Sequence, residues 1–332
     1  MARHLRASDL HVAAAQTPMI RVDGKLEVCA QTVIAPHELE SLIVACLDEE
    51  YRARLQRHGD ADVVMRSQDL GTLRIHSSRT RHGYALAVRL LPLEVPDIRA
   101  LGVPRIAVEL AQAPRGLLLI AGPTGSGKTS TFAALLEHIN KTQARRILTV
   151  EDPIEFEHHS ERSCVSQREI GTDVPSYEAA VLAALRADPD VIAIGEMRDA
   201  ATMHAGLIAA ETGHLIISTI HTGDAAQTID RIVDAFPQDR RGEVRTQLAA
   251  ALVGVVAQRL VPCAVGSGRR LLAEVLVATD AVRAMIRDGK THLLPNVIAT
   301  GRRVGMQSFA LHGEELAQAG EIRMDARVAV GA

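Results

Sequence analysis

Leu117-Leu-Leu-Ile-Ala-Gly122-Pro-Thr-Gly-Ser-Gly-Lys128-Thr129 decides the fold of this chain. Its first five residues are apolar without interruption, as in a strand buried on both faces of a parallel sheet. Gly122, Gly125 and Gly127 let the backbone that follows turn its amides inward, and from Ser130 to Ile139 apolar residues recur at helical spacing. Strand, glycine-rich loop ending in Gly-Lys-Thr, and helix make a complete phosphate-binding loop in the context it requires. Pro123, Thr124, Ser126 and Ser130 complete the set around the phosphates of ATP. Lys128 is expected to reach the β- and γ-phosphates and the Thr129 hydroxyl to ligate Mg²⁺, while the helix N-terminus adds its partial positive charge.

Working outward, Ile147–Val150, Val191–Ile194 and Leu215–Ile220 read as further buried strands, each ending in polar residues. They deliver Glu151-Asp152-Pro153, Gly195-Glu196 and His221-Thr222. In an open α/β sheet the ligand lies outside the carboxyl ends of the strands, so these groups are expected to converge on the phosphates. Carboxylates there have two jobs, holding Mg²⁺ and activating the attacking water. Taken singly each has a plainer reading: a solvated turn at Glu151-Asp152, a surface ion network of Glu196 with Arg198 and Asp199, a core histidine at His214 or His221. Three such strand ends beside one phosphate loop favour hydrolysis.

The chain has 332 residues, enough for two domains. A net charge of -3 and an aromatic content of 2% without Trp argue against nucleic acid as a partner. Met1 to Leu10 holds no signal-peptide core, and no apolar window has the length of an integral membrane segment, so a cytoplasmic protein is expected. Cys29, Cys46, Cys164 and Cys263 lie far apart and read as buried reduced thiols.

Before the loop, Asp9–Val12, Met19–Val22 and Leu73–His76 read as strands, and Asp23-Gly24 as a hairpin turn. Leu39, Leu42, Ile43, Cys46 and Leu47 predict a helix within Pro36–Leu55. This makes a small α+β domain over residues 1–95, and Leu91-Pro-Leu-Glu-Val-Pro-Asp97 reads as the linker. Residues 96–332 form the α/β domain. Its end is expected to be mostly helical, over Arg240–Leu260, Thr279–Arg287 and Gln307–Ala319, with a strand at Leu271–Val277.

Four stretches, Gly122 to Thr129, Ile147 to Phe156, Leu185 to Asp199 and Ala209 to Thr222, resemble in order the Walker A, aspartate-box, Walker B and histidine-box motifs of the secretion-superfamily ATPases. Ala7–His11, Arg21–Gly24 and Thr228–Pro237 extend the resemblance over nearly the whole chain. The family implies a PAS-like N-terminal domain, a RecA-like ATPase domain and a homohexamer with ATP between the two. It gives Glu151 the role of water-activating base, Glu196 that of the Walker B carboxylate at Mg²⁺, and His221 that of γ-phosphate sensor. Arginines of the first domain complete such sites, with Arg74, Arg79, Arg81 and Arg89 as candidates. His82-Gly83 looks more like the assembly and secretion branch. Two features resemble the PilT-like retraction branch: Cys263 stands alone where assembly ATPases carry a zinc-binding cysteine cluster, and Ala281-Val-Arg-Ala-Met-Ile-Arg-Asp288 is similar to the retraction signature. That branch implies a motor for type IV pilus retraction and twitching motility, peripheral at the inner-membrane base of the pilus and acting on a platform protein. The alternatives are a pilus-assembly or secretion ATPase and a non-motor nucleotide-binding regulator.

Overall fold

The computed structural model describes residues 2, 5, 7–22, 24–67, 70–91, 94–266 and 268–323. The chain divides into two units, Met1–Glu94 and Val95–Ala332.

The first unit contains strands β1 (Asp9–Ala13), β2 (Met19–Val22) and β3 (Lys25–Val28), helices α1 (Pro36–Cys46) and α2 (Glu49–His58), and strands β4 (Asp60–Ser67), β5 (Gly71–Thr80) and β6 (Gly83–Leu90). The strands form one antiparallel sheet in the order β3-β2-β1-β6-β5-β4. Side chains alternate across it. Val12, Leu73, Ile75 and Leu86 close a core with Leu39, Ile43, Tyr51 and Leu55 of the two helices. The single helix expected within Pro36–Leu55 is two, because Asp48 leaves the helical conformation and its carboxylate accepts from Tyr51 N to start α2. In the β2–β3 turn Gly24 is left-handed, whereas Asp23 lies outside the described residues, as do Pro92 and Leu93 of the linker reading.

The second unit runs α3 (Arg105–Leu110), β7 (Gly116–Ala121), α4 (Lys128–Thr142), β8 (Arg146–Glu151), β9 (Cys164–Glu169), α5 (Tyr177–Ala184), β10 (Val191–Ile194), α6 (Ala200–Glu211), β11 (Leu215–Ile220), α7 (Ala225–Asp234) and α8 (Arg241–Ala251). Strands β12 (Leu252–Pro262) and β13 (Arg269–Val277) follow, then helices α9 (Asp280–Arg287), α10 (Leu294–Thr300) and α11 (Phe309–Gln318). The sheet order is β13-β12-β7-β11-β10-β8-β9, parallel throughout except for the β12–β13 pair. Two cores share its strands residue by residue. Leu117, Leu119, Ile192, Ile194 and Ile216 enter one, and Leu118, Ile120, Val191, Ala193 and Ile217 the other. Each large side chain so buried stabilises the fold by roughly 1.5–3 kcal/mol, which is why these strands read as unbroken apolar runs.

The helix expected over Arg240–Leu260 is a correction. It ends at Ala251, and Leu252 begins β12, which lies between β7 and β13 with both faces covered. A run apolar on every face carries no periodicity to separate helix from strand; the β-branched Val253, Val255 and Val256 favour the strand. The edge strand β9, absent from the sequence reading, is half polar. It also places Cys164 at its exposed start, so not all the thiols are buried: Cys29 and Cys263 are half-buried. Among the described residues no helix is long and apolar enough to cross a membrane.

Candidate functional site

Strand β7, buried along its whole length, runs straight into the loop Gly122–Gly127, and α4 starts at Lys128. Gly125 and Gly127 have φ of +78° and +87°, so the loop needs glycine for its turn. A β-carbon on Gly122 would stand 2.5 Å from the Gln258 carbonyl oxygen on β12. The same Gln258, fully buried, donates from Nε2 to Ser126 O at 2.8 Å, fixing the loop from the neighbouring strand. Ser126 Oγ is buried without a hydrogen-bond partner among the described residues.

Lys128 Nζ donates to Gly122 O at 2.8 Å and Pro123 O at 3.0 Å. Burial holds its pKa below the ordinary lysine value, and the charge of Glu196 acts in the opposite sense. Glu196 follows β10. Its Oε1 is 2.5 Å from Arg198 and its Oε2 is 3.3 Å from His221 Nε2. Burial and the Lys128 charge keep His221 below the ordinary histidine pKa, against the pull of Glu196, and so favour the neutral ring.

Glu151 ends β8. Gly195 N donates to Val150 O at 2.7 Å, and a β-carbon on Gly195 would stand 3.3 Å from Glu151 Cα and 3.2 Å from the Tyr177 hydroxyl. The glycine is what lets the two carboxylate-bearing strand ends lie together. Glu151 is 6% exposed, and burial raises its pKa to about 7, offset in part by hydrogen bonds from Thr149 and Gln167. The ends of β10 and β11 thus bring Glu196 and His221 together within reach of the Lys128 charge, and Gly195 brings the end of β8 with Glu151 against the end of β10.

The profile of the family described as "Type II/IV secretion system protein" matches residues 2–322. The chain belongs to that family. An uncharacterized protein of Escherichia coli K12, YggR, is 43% identical over 91% of this chain and 91% of its own. The type IV pilus retractation ATPase PilT of Pseudomonas aeruginosa is 38% identical over 91% of this chain and 88% of its own. A crystal structure of the pilus retraction motor PilT with bound ADP superposes with a TM-score of 0.90 at 38% identity, covering 99% of this chain and 94% of that one.

Within this secretion family member, the other sequence candidates divide. His214 has the plainer role, its Nδ1 3.0 Å from Ala209 O, and Asp199 caps α6 by accepting from Thr202 N. The four arginines belong to the first unit. Arg74 and Arg79 lie on β5, Arg81 in the turn after it, and Arg89 on β6 with its Nε 3.0 Å from Asp9. Arg283, within the retraction-signature stretch, works inside the fold: its guanidinium caps α8 by donating to Ala249 O and, at 2.8 Å, Ala250 O. Sequence reasoning missed Gln258, Thr149, Gln167 and Tyr177. The one signal was a polar residue inside an apolar run, as in Val256-Ala-Gln258 and Leu148-Thr-Val150.

Proposed function

We propose that this chain is a hexamer-forming motor ATPase that couples ATP hydrolysis to type IV pilus retraction. The enzyme is an ATPase of the secretion family, and its place in the retraction branch draws support from a PilT relative and a PilT structure that cover nearly all of it. What supports the reading is the grouping of Lys128, Glu196 and His221, with Glu151 on the strand end that packs against Gly195. In this reading the loop amides and Lys128 hold the β- and γ-phosphates, with Gly122 and Gly127 admitting them close to the backbone. Thr129 and Glu196 supply the hard oxygen donors that suit Mg²⁺, which when bound neutralises phosphate charge. Glu151 accepts a proton from the attacking water, and His221 meets the γ-phosphate. An arginine among Arg74, Arg79, Arg81 and Arg89 completes the site.

The protein works in the cytoplasm, peripheral at the inner-membrane base of the pilus, on a platform protein and with no nucleic acid. The second reading, an assembly or secretion ATPase, is favoured by His82-Gly83 and by type II secretion relatives about a third identical, such as HxcR of Pseudomonas aeruginosa at 31%. Deleting the gene in its host tests the choice. Accumulated, non-retracting pili support the motor, whereas loss of surface pili moves the protein to the assembly branch.

A further inference from the structure

β8 and β9 run parallel at the sheet edge, in a register that sets Thr149 directly opposite Gln167. Strand alternation puts Glu151 on the same face as Thr149, two residues on. The three side chains meet there. Thr149 Oγ1 donates to Glu151 Oε1 at 2.7 Å, and Gln167 Nε2 donates to the same oxygen at 3.0 Å. Oε2 takes neither bond. The other bonds of Gln167 hold the loop after β8: Nε2 also donates to Phe156 O at 3.0 Å, and Oε1 accepts from His158 N at 2.8 Å. That loop is fastened in turn to α4, through His158 Nδ1 with Glu137 at 2.8 Å and Asn140 Nδ2 with His159 O at 2.7 Å.

We propose that Thr149 and Gln167 are positioning residues for hydrolysis, anchoring Glu151 through Oε1 alone so that Oε2 is aimed at the attacking water. This rests on reading Glu151 as the base. A carboxylate that took one donor on each oxygen would have neither oxygen reserved for water, and an unbound one would sample several rotamers. Two donors on one oxygen remove both faults. They also set the ionisation of the base. Glu155 in the loop and Glu169 on β9 press Glu151 toward its neutral form, as burial does, and the two hydrogen bonds oppose them. Across β10, Glu196 is tied to Arg198 and His221, and α5 contributes the Tyr177 phenol, pushed above the ordinary tyrosine range. Neutral donors to the ionised form thus extend the pH range in which the base works.

The test measures kcat and KM for ATP on both sides of neutral pH in wild type, Thr149→Val, Thr149→Ser, Gln167→Leu and Glu151→Gln. The valine and leucine variants should lose about tenfold or more in kcat at neutral pH with little change in KM. Their acid limb should move up by about one pH unit. Thr149→Ser, which keeps the hydroxyl, should retain the wild-type limb. A fall in kcat with the limb in place overturns the proposal, because loosened structure alone would produce it. Wild-type kcat and limb in Thr149→Val overturn it equally, and this near-isosteric variant carries the test if Gln167→Leu does not fold. Undiminished turnover in Glu151→Gln would instead remove the base reading itself; an inactive Glu151→Gln beside wild-type Thr149→Val removes only the positioning role.

Discussion

Glu151 joins function to a cost in stability. Its carboxyl titrates near pH 7 instead of the ordinary 4.5 because it is buried. A carboxyl with a raised folded pKa favours the fold below its unfolded value, and that contribution is lost as pH climbs from about 4.5 through about 7. Replacing it with neutral Gln, which still accepts from Thr149 and Gln167, should therefore abolish hydrolysis yet raise thermal stability at pH 8 by up to ~3 kcal/mol. The gain should shrink toward zero at pH 4, and melting curves at both pH values check it. With Glu151 as the proposed base, wild-type ATPase should likewise fall as pH drops below about 7, where that carboxyl becomes protonated. Lys128→Ala and Glu196→Gln should each lower turnover ~100-fold or more in a phosphate-release assay. Glu151, Glu196 and His221 were legible as candidates because each stands at or just past a strand end inside a motif, and Lys128 because it closes the phosphate loop. Thr149 and Gln167 were not: their importance lies in the parallel register of β8 and β9, and β9 has no apolar run to announce it.

Strand β12 is the element whose misreading hid a part of the site. Taken as the continuation of α8, it would have carried Gln258 on a helix; as the strand beside β7, it brings that amide under the phosphate loop. Gln258→Leu leaves Ser126 O unsatisfied, so it should cost about 1–3 kcal/mol of stability and raise KM for ATP. A variant with wild-type melting and KM would show that the loop holds itself. In α9 the two arginines separate by task. Arg283→Ala removes the cap of α8 and should destabilise by about 1 kcal/mol. Exposed Arg287 makes no comparable bond among the described residues, so Arg287→Ala should spare both stability and basal ATPase while impairing retraction in a motility assay. The alternation of β7, β8, β10 and β11 with helices was readable from apolar runs of strand length. The break between α1 and α2 was not, because Leu47 continues the helical spacing and only the cap at Asp48 stops it.

At the scale of the whole molecule, light scattering should give six copies, and elemental analysis no stoichiometric zinc; zinc at one per chain would place the protein in the assembly branch. On the proposed reading, substituting Arg74 or Arg89 should slow turnover more than it weakens ATP binding, as loss of a guanidinium that meets developing charge would. Equal losses in both would assign those arginines to binding alone. The change of pattern near Pro96 lies beside the boundary between the two units, and the first unit's sheet pairs strands that are neighbours in sequence except where β1 meets β6. The second sheet is the reverse. β7 pairs with β11 on one side and β12 on the other, and both begin about a hundred residues or more after it. At a synthesis rate of about 5–20 residues per second, the strand that launches the phosphate loop waits on the order of ten seconds with both edges bare. A ribosome therefore makes a wholly buried apolar strand early and its shelter late, so the growing chain should need chaperones or brisk translation between Ala121 and Pro262 to escape aggregation.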